Sequence, residues 1–346
     1  MMKANFHQYI LNFKRPAGTS RGTLRTKETW FIILESEGKT GVGECGIMRG
    51  LSADDVPGYE GKLRWCCENI HLGRERLMGE LIAFPSIQFG LEIALKSLES
   101  HTPFELFPSA FTRGEDAIPI NGLIWMGEED FMKKQIRARI DAGFHCIKMK
   151  IGAIDFETEY ALLRSIREEY SSDVIELRVD ANGAFSPEEA GEILQRLSEL
   201  DLHSIEQPIK SGQPEQMAAL CEKTPLPIAL DEELIGVFEK GDKARLIQAI
   251  RPQYIILKPS FVGGWKGSME WIELAEKTGA GWWITSALES NVGLNAIAQW
   301  TYTLGQDMPH GLGTGSLFTN NFESPLLVQG GELHYNPKGS WSFDLK

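Results

Sequence analysis

The tightest constraint on this fold is a rhythm that sets in after about residue 115, where short apolar runs alternate with amphipathic helical stretches. The runs lie at 118–125, 145–150, 174–180, 203–206, 227–231, 254–258, 281–286 and, more weakly, 310–313. Between them the spacing of apolar residues predicts helices near 128–142, 157–170, 186–200, 214–222, 240–250, 266–278 and 292–303. Strand-like runs and helices alternating at roughly 25–30 residues are repeated βα units with a parallel sheet. Eight such runs in about 200 residues fit a closed barrel better than an open doubly wound sheet. No Gly-x-Gly-x-x-Gly opens any of these helices, which weakens a dinucleotide-binding alternative. Local chemistry supports the helix ends. Ser186-Pro187-Glu188-Glu189 places a cap before a proline at the first helical position, with acids where the helix dipole favours them. Asp141-Ala142-Gly143 and Thr278-Gly279 put glycine where a left-handed C-cap is wanted.

The first 115 residues show no such alternation. A strand is expected at 6–13, a flexible loop at 16–22, and a hairpin of 29–35 with 40–44 joined through Glu37-Gly38. Pro85-Ser86 is expected to open a helix, with Ser86 as N-cap and Phe89, Leu91, Ala94, Leu95 and Leu98 as its apolar side. From about 320 onward the chain turns irregular and rich in glycine and proline, and is expected to return to the first domain. The expected division is therefore an α+β domain over 1–115, completed by about 320–346, and a catalytic domain over 116–320.

A chain of 346 residues can bury a large core, and its net charge of −13 argues against nucleic acid or anionic membrane surfaces as general partners. Five cysteines, odd in number and without a Cys-x-x-Cys pair, read as reduced thiols of a cytoplasmic protein. The N-terminal residues are too polar for a signal segment, and no apolar stretch is long enough to cross a bilayer.

The ionisable residues carry the chemistry. Lys148 and Lys150 alternate with apolar residues in Cys146-Ile147-Lys148-Met149-Lys150, so a strand there puts both ammonium groups on one face. Side by side, they disfavour each other's charge and push at least one towards the neutral amine, a proton-abstracting base. Asp180, Glu206, Asp231 and Lys258 each end an apolar run of their own. In a parallel βα barrel such positions converge on one mouth. Any one of these residues is more often a helix cap or a solvated edge charge, but solvated charges have no reason to recur at the same end of five runs. Three carboxylates without histidine or cysteine form an all-oxygen set suited to Mg²⁺, with Mn²⁺ as the usual substitute. Asn182 is placed to hydrogen-bond behind them. A dication beside a desolvated lysine is the equipment for removing a proton α to a carboxylate.

These motifs resemble the enolase superfamily and, within it, the muconate lactonising subgroup, over essentially the whole chain. The resemblance implies a modified (β/α)7β TIM-like barrel with an α+β capping domain. It matches Lys148-Met149-Lys150 to the family's Lys-x-Lys, with Lys150 as base. It matches Asp180 in Val-Asp-Ala-Asn, Glu206 in Ile-Glu-Gln-Pro and Asp231 in Ala-Leu-Asp-Glu to the Mg²⁺ ligands, and Lys258 in Leu-Lys-Pro-Ser to the lysine on the opposite face. Dipeptide epimerases resemble one another in an Asp-x-Asp on the last barrel strand. Here that stretch is His310-Gly311-Leu312-Gly313-Thr314-Gly315, without an acid for a substrate ammonium. Ser286-Ala287-Leu288-Glu289-Ser290-Asn291, Gly311–Gly315 and Gly263-Gly264 are similar instead to segments of the o-succinylbenzoate synthases. That likeness implies a syn dehydration of a small-molecule carboxylate, serving menaquinone synthesis, with an N-acylamino acid racemase or dipeptide epimerase as the alternative. It also makes Ser286, Ser290, Asn291 and Gly263 candidate substrate contacts, and makes 19–24, with Arg21, a loop that closes over the site. His310, Trp282 and Trp283 are expected to be packing residues, and nothing in the chain fixes an oligomeric state.

Overall fold

In the computed structural model, which describes residues 2–19, 22–125 and 127–345, the first three strands form an antiparallel sheet, Lys3–Thr19, Gly22–Ser36 and Lys39–Cys45, in that order. The hairpin at Glu37-Gly38 is tight because both residues take positive φ, 52° and 77°, the twist that two-residue turns between strands require. One face, with Trp30, Ile32 and Leu34, packs on helices Tyr59–Glu68 and Pro85–Glu99 through Tyr59, Leu63, Ile87 and Leu91. The other face presents Phe31 and Val42 to Val292, Phe322 and Phe343, so part of the chain beyond 320 packs against the first sheet.

Two expectations for this unit are corrected. The first strand does not stop at Phe13 but runs to Thr19, including Pro16 and Gly18 of the expected loop. Pairing with the second strand is interrupted between Asn12 and Ala17, so the missing N–H of Pro16 falls where no ladder bond is made. Ser86 is not the N-cap of its helix. Pro85 is the first helical residue, and Ser86, one position in, gives its N–H and hydroxyl to Asp54 Oδ2 at 2.9 and 2.6 Å.

Seven parallel strands follow: Gly122–Ile124, Cys146–Lys150, Glu176–Asp180, Ser204–Glu206, Ile228–Leu230, Tyr254–Leu257 and Gly281–Ile284, each paired with its neighbours in the chain. The intervening helices include Glu129–Asp141, Phe156–Glu169, Pro187–Ser198, Pro214–Lys223, Lys240–Ile250 and Gly264–Thr278, close to the expected spans. Ser186 makes a full capping box with Glu189, and Gly143 and Gly279 end their helices at φ 83° and 77°. The sheet is curled, and both edges reach one segment: Gly311 bridges to Thr285 and His310 to Ile120, both in parallel.

The run 118–125 is divided. Ile118–Pro119 pairs antiparallel with Glu332–Tyr335, which also pairs with Leu326–Gln329, and only Gly122–Ile124 joins the parallel sheet. A short helix, Pro259–Val262, lies outside the expected helical spans. Proline at its first position and Gly263 at φ 92° just after it confine it to one turn. His310 is fully buried and accepts the N–H of Ile284 on Nδ1, a packing role, and Trp282 and Trp283 are buried in the walls of the sheet.

Candidate active site

The C-terminal edge of the curled sheet gathers the ionisable residues because register and period coincide there. Lys150 pairs with Asp180, Asp180 with Glu206, and Glu206 with Ala229, so one rung crosses four strands. With side chains alternating between faces, Lys148 and Lys150, Asp180, Glu206, Asp231 and Lys258 all fall on the inner face. Asp180, Glu206 and Asp231 are buried, at 1–2 % exposure. Lys148 Nζ lies 2.8 Å from Asp180 Oδ2 and also bonds Glu206 Oε2, while Lys150 Nζ lies 3.0 Å from the same Asp180 oxygen and 2.6 Å from Asn182 Oδ1. Lys258 pairs with Asp231 from the other side.

Electrostatics here differ from the expectation for two isolated lysines. Burial works against the charge of Lys148, but Asp180 and Glu206 outweigh it and hold its pKa well above the ordinary value. The same contest raises Lys258, through Asp231 and Glu206. Asp180 is buried too, yet Lys148 and Lys150 hold its carboxyl far below the usual range. Glu206, penalised by burial and by the charge of Asp180, is pushed up to about 7. Like-charge repulsion within Lys-x-Lys is thus overridden at Lys148 by carboxylates from the next two strands.

Behind the first residues stands a supporting set. Asn182 donates to Glu232 Oε1 at 2.9 Å and receives its own orientation from Asp180 Oδ1, which accepts its backbone N–H at 3.0 Å. The Gln207 side-chain oxygen accepts the N–H groups of Asp231 and Glu233, and its amide donates to Glu233 Oε2. Asn182 and Gln207 both hold left-handed backbones, at φ 45° and 40°, which residues with side chains seldom adopt outside sites that need them.

A cavity of about 310 Å³ opens over this edge. Lys148, Lys150, Asp180, Asn182 and Lys258 form its floor, with Phe261, Thr285, Ser286, Ala287, Leu288, Gly311, Gly313 and Thr314 around them. The first unit closes the far side with Gly22, Thr23, Leu24, Met48, Arg49, Gly50 and Leu51. Glu206 and Asp231 lie beneath this floor. Ser286 reaches the cavity, its hydroxyl 2.7 Å from that of Thr314. Ser290, Asn291 and Gly263 do not reach it. Ser290 is turned towards Glu44 and caps the helix Asn291–Thr303 by accepting the Val292 N–H. Asn291 donates to the Phe322 carbonyl, and Gly263 lies against Gln88, where a Cβ would stand 2.9 Å from Oε1. Arg21 lies outside the described residues.

Gly22, Thr23 and Leu24 of the wall lie in the expected 19–24 segment, and Thr285 follows from period two beyond Trp283. Met48 and Leu51 come from a segment far away in the chain and carry no local signal.

The donor set can be tested for a cation. Among the described residues no three Asp, Glu, His or Cys side chains stand converged as a ready metal-binding group, because the carboxylate oxygens are drawn towards the lysines. The chemistry of the set fits a hard divalent ion nonetheless: three buried carboxylates on adjacent strands, with Glu206 Oε1 buried and without a hydrogen-bond partner among the described residues. Among the described residues no helix is long and apolar enough to cross a membrane.

Known proteins resemble this arrangement closely. The family described as Enolase C-terminal domain-like matches residues 131–339. An o-succinylbenzoate synthase of Desulfotalea psychrophila is 48% identical over 96% of this chain and 98% of its own. The crystal structure of MenC from Desulfotalea psychrophila superposes with a TM-score of 0.86 at 45% identity, covering 96% of this chain and 99% of that one. A muconate lactonizing enzyme from Pseudomonas fluorescens shares the fold, with a TM-score of 0.83 at 20% identity over 99% of this chain and 96% of its own.

Proposed function

Since the chain belongs to the enolase superfamily, with the o-succinylbenzoate synthases as its family, we propose that it is a hydro-lyase converting 2-succinyl-6-hydroxy-2,4-cyclohexadiene-1-carboxylate to 2-succinylbenzoate by syn dehydration. One observation carries the reading: Lys150 and Lys258 approach the cavity floor from opposite sides of a carboxylate set, beneath walls that, among the described residues, offer no acid to a substrate ammonium.

In this reading the curled sheet is the modified (β/α)7β barrel, and the segment bridging both its edges at His310-Gly311 is its eighth strand. Residues 1–115 with 320–346 form the capping domain, supported by the packing of Phe322 and Phe343 on Phe31. Asp180, Glu206 and Asp231 would hold Mg²⁺, or Mn²⁺ in its place, and the ion would supply positive charge next to the substrate's ring carboxylate. Lys150, as the amine, takes the proton α to that carboxylate. Lys258, on the other side, stabilises the negative charge that then accumulates on the carboxylate oxygens. Lys148, kept charged by its carboxylate partners, adds a fixed positive field beside Lys150. Lys150 returns the proton to the departing hydroxyl on the same face, water leaves, and the ring becomes aromatic. The Ser286–Thr314 pair is placed to receive a polar end of the succinyl chain. Five buried cysteines without disulfides agree with a reducing, cytoplasmic setting.

The test is direct. Purified protein with Mg²⁺ should turn the cyclohexadiene substrate over to the aromatic acid, followed by absorbance, and Lys150→Ala should abolish the reaction. No turnover of fresh substrate, or a Lys150→Ala variant as active as the parent, would overturn the proposal. Deuterium exchange at the α-carbon of N-acyl amino acids and dipeptides, measured in parallel, reports the racemase or epimerase alternative.

A further inference from the structure

Behind the cavity wall, where the two units meet, lies a buried group of charges that the reaction does not use. Lys27 projects from the second strand on the same face as Thr29 and Phe31. It is 3 % exposed, and its Nζ has no hydrogen-bond partner among the described residues. Burial lowers its pKa, opposed mainly by the charges of Glu44 and Glu289. Both acids are fully buried. Glu44 accepts the Thr29 hydroxyl at 2.8 Å, the N–H groups of Ser290 and Gly293 at 2.9 and 2.8 Å, and the Ser290 hydroxyl. It thereby fastens the first sheet to the N-terminus of the helix Asn291–Thr303. Only glycine fits at 293, since a Cβ there would stand 2.9 Å from Glu44 Oε2 and 2.8 Å from the Glu289 side chain.

Glu289 ties the remaining pieces. It accepts the Ser260 hydroxyl at 2.5 Å and the Ala287 N–H at 2.6 Å. The second bond brackets Leu288, a cavity residue held at φ 61°. Its carboxylate also lies against Gly46, where a Cβ would meet Oε1 at 2.9 Å. Each anchor stands within a few residues of the site: Ser260 between Lys258 and Phe261, Gly46 just before Met48 and Arg49, and Ala287 in the wall itself.

We propose that Lys27 and Glu289 are positioning residues for the reaction: the buried ammonium balances the two carboxylates, and Glu289 uses that balance to hold the capping loop 46–51 and the wall 285–289 in one relative placement. The proposal rests on the reading of this cavity as the active site. Removing Lys27 leaves two buried carboxylates near each other without a cation, and removing the Glu289 charge frees Leu288 from its bracket.

The test uses the full chain with Mg²⁺ and the variants Lys27→Met, Lys27→Arg, Glu289→Gln and Lys27→Met/Glu289→Gln. Both single neutralising variants are expected to raise KM about tenfold with kcat within about threefold, the signature of lost binding geometry with intact chemistry. Amide hydrogen exchange in 46–51 and 285–291 should quicken by about tenfold while the helix Phe156–Glu169 stays as in the parent. The double variant should lose less than the product of the two singles, because each change relieves the charge imbalance left by the other. Lys27→Arg should stay near the parent. Parental KM and exchange in both singles, or faster exchange throughout the chain, overturns the proposal. If the parent does not turn over the cyclohexadiene, the functional reading fails by itself, and the exchange pattern alone decides whether this cluster holds the two segments.

Discussion

Asp54 offers a prediction whose size can be worked from the structure. It is fully buried in the first unit, where Oδ2 accepts both the N–H and the hydroxyl of Ser86, while Oδ1 has no partner among the described residues. Burial pushes its pKa up to about 6, although the Ser86 bonds pull the other way. Against 3.8 for the free side chain, the gap is worth about 3 kcal/mol at 1.36 kcal/mol per pKa unit. The sign follows from proton counting. Between 3.8 and about 6 the folded form keeps a proton that the unfolded chain has lost. Stability contributed by this group is therefore complete below the unfolded value and is lost as pH rises through the folded one. Asn in its place keeps an acceptor for Ser86 but cannot titrate. Urea unfolding of the parent and Asp54→Asn across pH 4 to 7.5 should show the parent's advantage shrinking by about 3 kcal/mol as pH rises. A stability difference that stays flat over this range would refute the reasoning. The loop that Asp54 anchors carries Met48, Arg49, Gly50 and Leu51 of the cavity wall, so a rise in KM should accompany the change.

Lys258→Met should lower kcat by about 10²–10³-fold while Mg²⁺ still binds, because Asp231 loses its lysine partner but keeps its oxygens; calorimetry and steady-state rates separate the two. Glu206→Gln should weaken Mg²⁺ binding by at least the ~10–100-fold that loss of an outer-shell partner alone costs, read by calorimetry, with secondary structure unchanged by circular dichroism. Gly264→Ala should cost about 2–4 kcal/mol in chemical unfolding, since its φ is 72° and a Cβ would fall 2.2 Å from Glu92 Oε2, the oxygen that accepts the Trp265 N–H.

What could be read from the chain follows a physical division. The parallel units were legible because each is local: an apolar run, a turn, and a helix whose caps are written in adjacent residues, as at Ser186-Pro187 and Gly143. The lysines and acids were legible because period two and a shared strand end bring them to one face at one edge of the sheet without knowledge of any loop. Charge state was not. Two lysines on one face predict mutual depression, and only the register of neighbouring strands shows that Asp180 and Glu206 stand close enough to Lys148 to reverse the sign. Capping chemistry also misled where a tertiary partner competed. Ser86 has the composition of an N-cap, but Asp54, 32 positions earlier in the chain, takes both its donors.

The same division separates reaction from substrate. In the proposed reaction, proton abstraction depends on the edge of one sheet, built from residues 148–258, and the sequence alone offers those residues as candidates. Substrate choice depends on what faces that edge, and the facing residues come from distant places, among them Leu24 and Met48–Leu51 of the first unit, Asn121–Leu123 with Arg139 and Phe144, Thr285–Leu288, and Gly311, Gly313 and Thr314. Of the serines expected in the wall, Ser290 illustrates the difficulty. It sits four residues beyond Ser286, but it begins a helix, and the helix N-terminus and Glu44 together claim its hydroxyl. Ser286 stands before that turn and keeps its hydroxyl towards the cavity with Thr314. A wall with Leu24, Met48, Leu51, Phe261 and Leu288 as its apolar part, and with Arg49, Arg139 and the Ser286–Thr314 hydroxyl pair among its polar groups, suits an apolar ring with a polar chain. It offers no carboxylate above the floor to pair with an ammonium, and that absence from the described lining is the feature that sets a succinyl-bearing acid ahead of a dipeptide.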